Sequence, residues 1–168
     1  MTLPNDCPLL NVNYMYSTLL VLHSFVRWLV VLSLLTALVR GYQGWFRADV
    51  FSKTDYRLRH ITATFAHIQL MIGFLLYFQS PLVAIFRSGD SQSEVPLDIP
   101  FFGWMHISLM TLAIVVITVG SALAKRQPSD LAKFRTMVIW FSIGLLLIFI
   151  AIPWPFSPLV NRPYLRSF

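Results

Sequence analysis

A chain of 168 residues with 57% hydrophobic residues, 12% charged residues and a mean hydropathy of +0.67 carries about half the charge of an ordinary soluble domain. That composition excludes a soluble enzyme. The net charge of +6 does not point to nucleic acid either, because the basic residues fall in short segments between apolar runs, as they do in proteins whose partner is a lipid bilayer.

Crossing a bilayer takes about 20 mostly apolar residues, and four segments qualify: 17–39, 60–78, 102–124 and 134–153. The first sixteen residues include Pro4, Asp6 and Pro8 but no lysine or arginine, so they lack the basic start of a secretory signal peptide. The first span is therefore expected to stay as an anchor. Cys7, the single cysteine, excludes an internal disulfide framework and a multi-cysteine metal site. Four spans with short connections, with no repeat or low-complexity stretch, predict one all-α transmembrane domain over 1–168, an up-down-up-down four-helix bundle.

Orientation follows from the basic residues. Arg40, Arg47, Lys53, Arg57 and Arg59 follow the first span, and Lys125, Arg126, Lys133 and Arg135 follow the third. The other side has only Arg87, Arg162 and Arg166. The positive-inside rule then places both termini on the non-cytoplasmic side of a cytoplasmic membrane. Interfacial aromatics agree, with Tyr14, Tyr16, Trp104 and Trp154 on that side and Tyr42, Trp45 and Tyr56 on the other. Pro81, Pro96 and Pro100 break up the middle connection, and Pro153 and Pro155 stop the fourth span.

Ionisable groups in hydrocarbon are costly and are functional candidates by default. The spans hold His23, Arg27, His60, His67 and His106, whereas all seven acids lie in termini and connections. At a rise of about 1.5 Å per residue, His23 and His106 lie roughly 9 and 6 Å below the outer boundary, at nearly one level. His67 lies roughly 10 Å above the opposite boundary, and His60 at it. Arg27 falls roughly 15 Å deep, near the midplane, with no acid in the spans to neutralise it.

The faces carry further information. Residues three, four or seven apart share a helix face. One stripe of the third span joins Gly103, His106, Met110, Ala113, Ile117 and Gly120, and one of the first joins His23, Arg27, Val30, Leu34 and Ala37. The second span has two polar stripes: His60, Thr64, His67 and Met71 on one side, Thr62, Ala66, Gln69 and Gly73 on another. Small residues let helices approach closely or leave room for a flat ring.

Imidazoles on different helices at one depth suit haem b, which takes one or two neutral imidazoles as axial ligands. His23 and His106 form the best axial pair. His67 is a candidate ligand of a second haem or part of a quinone pocket, and Arg27 a partner for the haem propionates. Copper or zinc is an alternative, with His67–Met71 and His106–Met110 spaced by one turn, and a proton relay a third. Hydrogen bonds to backbone carbonyls would also account for any one of these histidines.

The runs L-H-S-F-V-R-W at 22–28, F-A-H-I-Q-L-M-I-G-F-L-L-Y-F at 65–78 and I-P-W-P-F at 152–156, with W-M-H-I-S-L-M in the third span, resemble a family of short bacterial four-helix membrane proteins known as cytochrome b-like. The likeness extends from Tyr14 to Phe156. It implies haem and a bacterial inner membrane, and His23, His67, His106 and Arg27 match the family's histidine and arginine positions; His60 matches none. The expected function is that of a membrane-bound b-type cytochrome carrying electrons with one or two haems and a quinol as a candidate reductant. Two alternatives stand beside it. One is a non-catalytic accessory subunit of a larger respiratory complex or a homo-oligomer, and the other a copper or proton-linked transporter.

Overall fold

The computed structural model describes residues 8–89, 96–157, 160 and 162–165. Cys7, Asp90, Glu94 and Arg166 lie outside the described residues. The chain is all-α, and four of its helices are long and apolar enough to cross a membrane. We label them α1 (Pro8–Arg47), α2 (Lys53–Gln79), α4 (Asp98–Arg126) and α5 (Asp130–Ala151). A short α3 (Pro81–Ser88) connects α2 to α4. The first turns of α4 contain a π-helical stretch, Phe101–Met105, immediately before His106.

Local chemistry sets each boundary at the tight-loop end. Helix α1 stops where Ala48 takes a left-handed conformation (φ 52°) and the Asp49 amide donates to the Gly44 carbonyl at 3.0 Å, a six-to-one terminal bond. Ser52 then caps α2, its hydroxyl accepting from the Asp55 amide while the Asp55 carboxylate accepts from the Ser52 amide. This is a capping box with Asp in the acidic position. Ser129 caps α5 by accepting from the Ala132 amide at 3.3 Å. At the opposite end, Ala151 closes α5 and Ile152 turns extended before Pro153, as the residue before proline prefers.

Helix α1 packs on α2 and α5, and α4 packs on the same two helices. The ring order is thus α1–α2–α4–α5, with α1 and α4 facing each other across a diagonal. Leu34, Ala37, Ala66, Ala113, Ile117 and Phe141 fill the middle. Two glycines permit the closest approaches. A Cβ on Gly120 would stand 2.1 Å from the Trp140 Cβ, and one on Gly44 would stand 2.4 Å from the Phe134 ring. Large apolar side chains such as Phe25, Leu32, Leu146 and Phe149 point outward, as a lipid-facing surface requires.

Helix α1 is 40 residues long. Gly44 meets Phe134 near the start of α5, and the Trp28 ring lies 6.3 Å from that of Trp154, just past its end, so Arg27 is level with the last turn of α5.

Candidate functional site

A cavity of about 190 Å³ opens at the end of the bundle away from the tight loops. His23 and Arg27 line it from α1, Gln69, Gly73 and Tyr77 from α2, and His106 from α4. The two imidazoles face each other across the α1–α4 diagonal with ring centres 6.4 Å apart and planes at 65°.

Each ring is held by its neighbours. The Nδ1 of His106 lies 2.9 Å from the Ala151 carbonyl oxygen. A carbonyl only accepts, so Nδ1 carries the proton and Nε2 keeps a lone pair. The π-helical stretch that precedes His106 is itself pinned: the Tyr77 hydroxyl donates to the Gly103 carbonyl at 2.9 Å, and Phe86 fills the space where a Gly103 side chain would stand. His23 packs its ring edge on Gly73, where an added Cβ would stand 3.4 Å from Cε1. The Gln69 amide nitrogen donates to the His23 carbonyl at 3.0 Å.

Several polar atoms at this end are buried without a partner: His23 Nδ1, Gln69 Oε1, Arg27 Nε and Arg162 Nε. Arg27 donates through Nη2 to Ser24 Oγ at 3.5 Å and to the Tyr164 carbonyl. Trp28 Nε1 donates to that same carbonyl at 3.1 Å. No carboxylate pairs with Arg27 among the described residues. The C-terminal segment thus folds back over the cavity, and Arg162, which also lines it, pairs with Asp98 at the start of α4.

The other singled-out histidines lie elsewhere. His67 is exposed on the outer face of α2, with Nε2 3.0 Å from Thr118 Oγ1 on α4. Because Thr118 Oγ1 donates to the Ile114 carbonyl, His67 Nε2 is the donor. It neither lines the cavity nor points toward His23 or His106, so it is not placed to ligate a second haem inside the bundle. His60 is exposed near the start of α2, and Met71 is 64% exposed, so His67 and Met71 form no enclosed pair. Met110 does line the cavity beside His106.

Gln69, Tyr77 and Arg162 are cavity residues that sequence reasoning missed. Gln69 carried a signal, because it shares the Thr62–Ala66–Gly73 stripe and that stripe turns inward, Thr62 and Ala66 being fully buried. Arg59, counted as a loop charge, is instead buried in α2 and donates to the Ser121 carbonyl and hydroxyl.

Chemically, the site offers two imidazoles and one uncompensated cation. Among the described residues no three or more His, Cys, Asp or Glu side chains gather to hold a metal ion. A zinc ion seeking several such ligands therefore lacks them among the described residues, whereas haem brings its own equatorial nitrogens and asks only for axial ones. Two imidazoles sharing one metal through bonds of about 2 Å place their ring centres roughly 6 Å apart, which the observed 6.4 Å matches. Comparison of the chain with protein-family models, curated proteins and solved structures finds no match.

Proposed function

We propose that this protein is a membrane-bound b-type cytochrome that holds one haem between His23 and His106 and carries electrons. The observation that supports this most strongly is the pair of imidazoles on diagonal helices, 6.4 Å apart, one of them fixed by a backbone carbonyl in the tautomer that leaves Nε2 free. An axial histidine is commonly oriented in this way, by donation from its second ring nitrogen. Bound haem supplies reversible one-electron chemistry. The residues do the rest: Ala151 holds the His106 ring, the apolar helices exclude water, and the Arg27 cation favours the reduced state. The cavity of about 190 Å³ is smaller than typical pockets of about 300–1,000 Å³. A macrocycle therefore requires side chains around it to swing aside, and the flexible thioether of Met110 is the most compliant of them. Nine basic residues flank the opposite end of the bundle, which supports a cavity facing the non-cytoplasmic side of a bacterial inner membrane.

Reduced-minus-oxidised visible spectra of the purified protein test the proposal. A low-spin haem b signal is expected in the unsubstituted protein and in His67→Ala, and its loss or conversion to a high-spin form in His23→Ala and His106→Ala. Equal signals in all four proteins would contradict the ligand assignment.

A second reading is favoured by one observation, the exposed His67–Thr118 pair. Membrane-embedded ionisable groups almost always face protein or water rather than lipid, so this face fits the surface of a subunit within a larger membrane complex. Crosslinking from position 67 to another protein in native membranes is the expected result. Crosslinking to lipid alone would remove this reading.

A further inference from the structure

The cavity is lined by two guanidinium groups, and among the described residues neither buried Nε–H has an acceptor. They come from distant parts of the chain. Arg27 projects from α1, and Arg162 reaches the same cavity only because the C-terminal segment folds back across the end of α5. Two contacts hold that segment in place: the Tyr164 carbonyl on Arg27 and Trp28, and Arg162 on Asp98. Arg162 also lies 5.3 Å from the Phe102 ring centre. Arg59 too has an unpaired Nε among the described residues, but it is packed against Ser121 at the opposite end and does not line this cavity.

A buried N–H donor of a permanent cation costs free energy unless an acceptor meets it, and a carboxylate is the acceptor whose geometry a guanidinium matches best. Asp98 engages Arg162 through Nη2, and Arg27 has only neutral oxygens. The cavity is thus short of negative charge. It offers two separate donors where a ligand bearing two carboxylates would satisfy both.

We propose that Arg27 and Arg162 form a two-guanidinium clamp for the pair of carboxylates on the flat ligand of this cavity, so that the C-terminal segment is part of the binding site. This rests on the haem reading above, in which the carboxylates are the two propionates. Binding would convert a segment held by one carbonyl and one ion pair into one held by the ligand as well.

The test uses full-length protein prepared under haem-limited growth and titrated in detergent with haem and, separately, with haem dimethyl ester, whose carboxylates are masked. The unsubstituted protein is expected to bind the ester at least about tenfold more weakly than haem, the size of one charge-assisted hydrogen bond. R162M is expected to lower that ratio, and R162K to restore part of it. Haem binding is also expected to protect the backbone amides of Arg162, Tyr164 and Leu165 from hydrogen exchange in the unsubstituted protein but not in R162M. Equal affinity for haem and ester in the unsubstituted protein, with a bis-histidine spectrum for both, would overturn the clamp and leave the ligand pair standing. Binding of neither would overturn both. The comparison within unsubstituted protein needs no variant to fold.

Discussion

The two ends of the bundle are built from the same helices but treat their polar groups in opposite ways. At the tight-loop end, Arg40 holds Asp49 at 2.6 Å and Asp55 at 2.8 Å, and Asp55 closes the capping box of α2. Arg59 ties α2 to Ser121 on α4, and Gly44 lets Phe134 fill the space beneath the loop. Apart from the Arg59 Nε, the described buried polar side chains there have partners. At the other end the helices part around a cavity, and His23, Arg27, Gln69 and Arg162 each keep an unpaired buried atom. Hydrogen-bonding capacity is seldom left unmade in an interior. One end is complete as the chain alone; the other has the composition of a site that a second molecule finishes.

Four substitutions would break or sharpen this contrast, all read by thermal or denaturant unfolding of the purified protein. Asp55→Ala removes an almost fully buried carboxylate (1% exposed) that serves both Arg40 and the α2 cap. It should cost about 3 kcal/mol, the loss associated with breaking a buried pair, and a change under about 1 kcal/mol would show that the ion network does not hold this end. Gly120→Val comes next. Its side chain meets the Cβ and Cγ of Trp140 at 2.1 and 2.7 Å, atoms that cannot move without shifting α5, so the cost should be about 2 kcal/mol. Ala48→Gly acts in the opposite direction. Relief of the left-handed strain at φ 52° should stabilise the tight-loop end by about 1 kcal/mol, visible as a higher unfolding midpoint.

The smallest effect on stability is expected at the cavity. In Gly73→Ala the new methyl meets only the His23 ring, Cε1 at 3.4 Å and Nδ1 at 3.9 Å, ordinary contacts, and the alanine gains about 0.5–1 kcal/mol in helix preference. Stability should hold or rise slightly while haem occupancy falls, because the methyl enters the space beside His23. A variant that lost stability as Gly120→Val does would show that the cavity end is packed like the other.

Much of this architecture was legible in the chain. Hydropathy marks the four helices because a bilayer demands continuous apolar stretches, and helical rise brings His23 and His106 to one level because the first and third spans run in the same direction from one boundary. Two features were hidden for physical reasons. His67 and Gln69 lie on different faces of one helix, and both faces carry small or polar residues. Only packing against α1, through the His23 carbonyl and Gly73, shows that the Gln69 face turns inward. The place of Arg162 depends on backbone carbonyls and a distant aspartate that leave no mark on spacing or composition.

The most direct check on the central claim is the quantity of haem extracted per chain from protein purified out of haem-replete cells, in the unsubstituted form and in the His23→Ala/His106→Ala double variant. The account expects one haem per unsubstituted chain and none in the folded double variant. A folded, unsubstituted protein that emerges from such cells without haem would contradict it.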